Sequence, residues 1–416
     1  MADRYWILGT GSWSSTNTVN WSDTSGGLGG FSVPTASDNV FFDVNSNVGT
    51  GAFTVTMVNS PRVCNDFLAA GLDGAMTLAG TSIGLTVSGS LTFQATNFSA
   101  TYTGTTTFNA TTTGKTVTAN GVAFGGQVTF NGVGGVWALG SASNCTTLQL
   151  SNGTLNLAGY TATQSVRFTT AVGTKNVTFN GGTLLCANSG TLSFNNSAPS
   201  NFTTTAGTGT GTISMTAATA KTFVGAGSTF NCTLNQGGAG ALTITGSNTF
   251  LNITNTRKSV SATSILFTAG TTSTFTDWNA SGEATRLLTI GSVTAASHTL
   301  SKASGTVSSD FLSISRSTAT GGASWYAGAN STDGGNNSGW IFTAPPSAGY
   351  SITANAGSYA VAGQTAILTR SRLLSGDFGV YTVTGAAAVI DFGGSPIVDS
   401  TQLYVVLRSF TERRRF

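Results

Sequence analysis

The chain is poorest in charge. Between Asp73 and Asp277 it has no acidic side chain at all, and only 7% of its 416 residues are charged, where soluble proteins usually carry about 25%. Such a stretch does not read as an ordinary charged globular surface, nor as an obvious carboxylate enzyme. Histidine is nearly absent: His298 is the single copy. The four cysteines, Cys64, Cys145, Cys186 and Cys232, form no C-x-x-C pair, so zinc and haem motifs are missing. Each lies among strand-like residues, where a small buried hydrophobe with a reduced thiol is the favoured reading and a disulfide between neighbouring coils the alternative. Proline is scarce, with six copies, which argues against a Pro-rich linker. No run approaches the roughly 18 apolar residues of a membrane helix, so no membrane insertion is expected. The start, Met1 to Thr10, lacks the apolar segment of a secretory signal. Assembly in the cytosol, or release by cell lysis, is expected. A formal charge of +3 implies no nucleic-acid groove.

Gly, Thr, Ser, Asn and Ala crowd the same stretch, with 55 glycines in the chain. Hydroxyls and amides can supply the hydration that charges do not. Short β-rich pieces recur between Gly- or Asn-containing turns: Phe53-Thr-Val-Thr-Met57, Val128-Thr-Phe130, Leu242-Thr-Ile-Thr245. Alternation at period two puts apolar residues on one face and Thr or Asn on the other. On every strand this pattern predicts a solenoid, in which coils stack around one narrow core. Coils of roughly 20–25 residues would give about a dozen turns and, at a rung spacing of about 4.8 Å, a rod some 60 Å long. No single period runs through the array, and a series of β-sandwiches is the structural alternative.

Four parts follow: a Trp- and Phe-rich cap over residues 1–45, the strand array over 46–343, a Pro-containing linker over 344–350, and a small C-terminal β-rich unit over 351–416. In the last part Gly357, Tyr359, Val361, Gly363 and Ala366 recur at Gly379, Tyr381, Val383, Gly385 and Ala388, each 22 residues on. Arg408 and Arg413 to Arg415 make the ending basic; a solvated tail is the plain reading, docking on an acidic protein the other.

Several of these residues carry a resemblance. Tyr5-Trp6 to Trp13, Asn20-Trp21-Ser22, Pro34 and Asp38-Asn-Val40-Phe-Phe-Asp43 resemble the opening of right-handed parallel β-helix proteins of bacteria and phages, adhesin passengers included. Trp13 and Trp21 would close the first coil, and Asp38 would turn the chain into the strand of Val40 and Phe42. Asp310 to Ile314, Trp325 to Asn330 and Gly334 to Trp340 look like the closing coils of similar helices. The C-terminal repeat with its Arg-rich ending is similar to segments of tailed-phage virion proteins. These matches span about half of the chain; the central coils rest on pattern alone.

Long β-helices on phages often cleave polysaccharides, which for hydrolysis requires two carboxyl groups about 5–10 Å apart. The acids of the array, Asp66, Asp73, Asp277, Glu283, Asp310 and Asp333, lie near its ends. Asp277 and Glu283 could meet across one coil, but capping of turns is the plainer role. His298 has no local acid. Asp333-Gly-Gly-Asn-Asn337 offers oxygens to calcium, or forms a simple Asn-Gly turn. Trp325, Tyr326 and Trp340 either stack on sugars or fill the end of the core. Gly132-Val-Gly-Gly135 precedes no helix and no Lys-Ser/Thr, which gives phosphate binding no support.

The sequence thus predicts an all-β, right-handed parallel β-helix without catalytic, metal or cofactor residues. The resemblance implies a non-enzymatic virion structural protein on a tailed-phage surface, as tail fibre, spike or capsid decoration. It would be a homotrimer, joined to other virion proteins through its C-terminal unit and touching a host glycan. A secreted bacterial adhesin and a polysaccharide depolymerase are the rival functions.

Overall fold

The computed structural model describes residues 1–346 apart from Val48 and Ser189, and beyond them the backbones of five short strands. The chain divides into two units, Met1–Pro345 and Pro346–Phe416.

The first unit is a parallel β-solenoid of about 13 turns. Each regular coil contributes strands to three ladders. Asp3–Trp6, Asn39–Phe42, Phe67–Ala69 and Leu91–Thr92 begin the first face. Gly11–Trp13, Phe53–Met57, Met76–Ala79 and Phe98–Ala100 begin the second. Arg62–Cys64, Leu85–Val87 and Thr106–Phe108 begin the third. Among the described residues of this unit every strand pairing is parallel except one. Trp21–Ser22 runs antiparallel along Asp3–Trp6 and covers its outer edge, which removes an open strand edge at the start of the rod.

Alternation dictates the interior. In Phe53–Met57 the apolar residues are buried and the threonines between them half-buried, as period two requires. Coil length varies, which explains why no single period runs through the sequence. Paired residues are 18 apart at Val136 and Thr154, 29 apart at Phe194 and Phe223, and 36 apart in the first coil at Tyr5 and Phe41. The surplus goes into corner loops, and the inward register is kept.

Parallel register places like residues on like, so aromatic rings stack along the axis. Phe168, Phe194 and Phe223 form one run, with centroids 4.8 and 4.3 Å apart and planes within 15°. Phe230, Phe250 and Phe275 form another. Offset stacking of this kind contributes about 0.5–1.5 kcal/mol per pair beyond burial.

Both ends of the core are closed by tryptophans. Trp6, Trp13 and Trp21 are fully buried against Phe42, and they belong to the first coil itself. Asp38 fixes the chain there: its carboxylate accepts from the Thr35 hydroxyl at 2.7 Å, the Thr35 N–H at 3.0 Å and the Ala2 N–H at 3.0 Å. Burial pushes this carboxyl up, but those bonds and the Arg4 charge overcome it and hold it below the usual range. At the far end Trp278, Trp325 and Trp340 meet edge to face at 5.1–6.2 Å.

Type I′ turns recur at the corners. Residues 120–121, 158–159 and 180–181, between first and second faces, and 226–227, between third and first, all have positive φ at both positions, as this turn demands. Two of the four are Asn-Gly and two are Ala-Gly. Asn180 also donates to Asn156 at 2.9 Å and accepts from the Thr208 N–H at 2.9 Å, so it ties three coils together.

In the second unit, Ala360–Ala362 pairs in parallel with Tyr381–Thr384, and Ile367–Leu368 with Val389–Ile390. Val361 faces Val383 and Ile367 faces Val389. Both offsets are 22, the period of the sequence repeat. Tyr404–Val405 pairs antiparallel with Tyr381–Thr384. The basic ending, Arg408 and Arg413 to Arg415, lies outside the described residues.

Candidate functional site at the corner between second and third faces

The corner joining the second face to the third carries loops 216–220, 237–241, 256–262 and 280–287. From residue 74 to 276 the chain has Lys115, Arg167, Lys175, Lys221, Arg257 and Lys258 and no carboxylate to match them; Lys221, Arg257 and Lys258 lie at this corner, while Lys115 and Lys175 begin first-face strands. The loop over 256–262 opens with a 3-10 turn, Thr256–Ser259, begun by the Asn255 side chain accepting from the Arg257 N–H. Arg257 Nε donates to Ser261 Oγ at 3.1 Å. One coil on, Arg286 Nε donates to the Lys258 carbonyl at 2.8 Å and its second nitrogen pairs with Glu283 at 2.8 Å.

Glu283 to Arg286 is a tight turn closed by two backbone bonds, with Thr285 at its tip. Thr285 has φ 65°, where a β-branched residue is strained. Below, Asn235 donates to Ser214 at 3.0 Å and Thr256 at 2.9 Å, and accepts from the Thr254 hydroxyl at 3.0 Å. Its amide therefore locks three successive coils under the loop.

Two lysines point into the rod. Lys175 Nζ donates to the carbonyls of Gly173 at 2.8 Å and Ser200 at 2.9 Å. Lys221 Nζ donates to Ala217 at 3.2 Å and Gly240 at 2.6 Å. In each case one carbonyl belongs to the lysine's own coil and one to the next, so the ammonium staples neighbouring corners. Backbone dipoles stand in for the absent carboxylates. Burial, with the Arg257 charge adding to it, pushes the Lys221 ammonium down to about 8. Gln236, fully buried beside it, shares Gly240 as acceptor and donates to Thr263 Oγ1 at 2.6 Å. Sequence reasoning passed over both lysines. The signal was available: in Lys175-Asn-Val177 and Lys221-Thr-Phe223 the lysine shares the inward phase of an apolar residue.

The residues singled out from sequence fall as follows. Asp277 lies 4.0 Å from Lys302 and Glu283 is paired with Arg286, so each carboxylate has a cationic neighbour. Asp66 accepts from the Ser90 N–H, and Asp310 from the Asn330 N–H and side chain. Asp333 closes a turn, accepting from Gly335 N–H at 2.9 Å and Asn337 at 2.6 Å.

His298 is buried against Phe267, with Nδ1 2.9 Å from Ser292 Oγ and Nε2 without a partner; burial pushes its imidazole down to about 4. Trp325 and Trp340 are core residues, with indole N–H groups donating to the Thr320 carbonyl and Ser317 Oγ; Tyr326 is half-buried. Gly132 and Gly135 let the chain pass over the Ala110 carbonyl, because a Cβ at either would lie 1.7 or 2.1 Å from its oxygen and 2.8 Å from the Trp137 ring. All four cysteines are free; Cys64, Cys186 and Cys232 are buried and Cys145 is partly so.

Chemically, this corner offers guanidinium, ammonium and hydroxyl donors, with its one carboxylate neutralised by an arginine. It suits binding of polar or acidic groups. Among the described residues no helix is long and apolar enough to cross a membrane. No protein-family model, curated protein or solved structure matches this chain.

Proposed function

We propose that the chain is a structural protein of a tailed-bacteriophage particle, exposed on its surface as a fibre, spike or capsid decoration and touching the host or its glycans. The observation that carries this reading is the uninterrupted parallel solenoid with tryptophan-closed ends. A stack of this kind projects from a support and is stable without a bulky globular core. Its outward Thr, Ser and Asn side chains hydrate it and can hydrogen-bond sugar hydroxyls. The resemblance of both solenoid ends to phage and bacterial β-helices supports the same reading. So does the 22-residue repeat before an Arg-rich ending, the segment that would join other virion proteins. Three copies side by side would bury faces that one copy leaves wet.

Quantitative mass spectrometry and antibody-labelled electron microscopy of purified particles test this. A fixed copy number and a surface label are expected; absence from washed particles overturns the proposal. Incubating the purified protein with host capsule separates attachment from cleavage, since only a depolymerase releases oligosaccharides.

A further inference from the structure

Two surfaces of the solenoid are each apolar and charged, with opposite signs. The first is the starting tip. Leu8, Val19 and Leu28 are 53%, 60% and 87% exposed. They adjoin one another: a Cβ on Gly29 would lie 2.0 Å from the Val19 carbonyl and 3.3 Å from Ile7. Leu8 is held at φ 70°, a conformation an L-residue adopts at a cost, and it spends that strain on exposing an apolar side chain. Around this tip the first 73 residues carry Asp3, Asp23, Asp43, Asp66 and Asp73 outside the core against Arg4, while Asp38 and Arg62 are buried. A solenoid converts position in sequence into height, so this excess of acid sits at one end.

The second is the corner described above. Val260 is 61% exposed, flanked by Arg257 and Lys258 and bonded through Lys258 to Arg286. Thr285, beside Arg286, is exposed as well, at φ 65°. Exposed apolar groups rimmed by charge are the usual anatomy of a protein interface.

We infer that the acidic, apolar starting tip of one chain docks on the cationic corner around Arg257, Lys258 and Val260 of a second copy. Opposite charges choose the partner surface and orient the approach, while Leu28 and Val260 supply the dehydrated centre. Because the two patches differ, the contact is heterologous: it closes into a ring if the rotation allows and otherwise grows. The inference takes up the self-association proposed above and gives it a contact.

Sedimentation equilibrium of the full chain, from low to high salt, tests it. Masses above one chain at low salt, falling toward one chain as salt rises, are expected. Asp23→Lys and Lys258→Glu should each weaken association about tenfold, and the double variant should restore it. Leu28→Ser and Val260→Ser should weaken it without changing the salt dependence. Asp23, Leu28 and Val260 are exposed and Lys258 is half-buried in its 3-10 turn, and circular dichroism checks that each variant folds. A single-chain mass at every salt and concentration overturns the inference, as does association that ignores both charge reversals. Open-ended growth that responds to the reversals keeps this contact and removes only the trimer.

Discussion

Phe194 lies flat on Phe223, centroids 4.3 Å apart and planes 11° from parallel, although the two are 29 residues apart in sequence. Both are fully buried, and Phe168 lies on the other side of Phe194 at 4.8 Å. Phe194→Ala should therefore cost about 3–5 kcal/mol, and Phe194→Leu clearly less. Urea unfolding followed by circular dichroism checks the difference. Since each coil touches only its neighbours, hydrogen exchange should quicken first in the strands of Phe168 and Phe223.

The Ala-Gly turns are a second test. Ala158 and Ala226 hold φ 51° and 55° in turns of the same type as those that Asn120 and Asn180 make. Asparagine tolerates that region and alanine does not. Ala158→Asn and Ala226→Asn should each stabilise the rod by about 0.5–1 kcal/mol, read as a higher urea midpoint at constant slope.

Lys221 gives a pH dependence with a definite sign. Its pKa in the fold is about 8 against an ordinary 10.5, so between these values the unfolded chain holds a proton that the folded chain has released. Stability contributed by this group therefore rises as pH climbs through that window. The buried thiols act the other way. Burial pushes Cys186 up to about 12, and the unfolded chain loses its thiol protons first, so stability falls above about pH 9. Comparing Lys221→Met with the natural chain cancels the thiols. The stability gap between the two should shift steadily in the natural chain's favour from pH 8 to 10.5, and a constant gap would contradict the buried placement.

Thiol reactivity follows from the same burial. All four cysteines are free, and each is pushed up in pKa by its surroundings. An aromatic disulfide reagent should label them slowly in the folded chain and all four promptly in denaturant. Prompt labelling of Cys64 or Cys232 in native buffer would place the core elsewhere.

Asp38 tests the start of the rod. Its carboxyl is held below the usual range by the Thr35 and Ala2 donors, so its contribution is present at neutral pH and is lost as pH falls through that lowered value. Asp38→Ala should cost about 1–2 kcal/mol, loosening residues 1–45 first, as seen by limited proteolysis.

The period-two alternation made the fold class legible, because Phe53-Thr-Val-Thr-Met57 and its kin state which side is inward. Coil count was legible only approximately, since loops such as 206–211 lengthen one coil without disturbing the next. The corner was not legible. Asn235, Arg257 and Arg286 are roughly one coil apart in sequence, and only stacking brings them to one edge. Gly132 and Gly135 gave a motif-like string whose reason, the Ala110 carbonyl of the preceding coil, is more than 20 residues away in sequence. Lys221 was readable in principle, but a lysine in an inward phase is easily taken for a solvated one.

The uneven coils described above make this rod a ruler with interchangeable divisions. A duplicated or deleted coil would move everything beyond it by about 4.8 Å and leave the remaining rungs in register. The length of the stack could thus be reset by one genetic event, while the tips and the corner keep their chemistry.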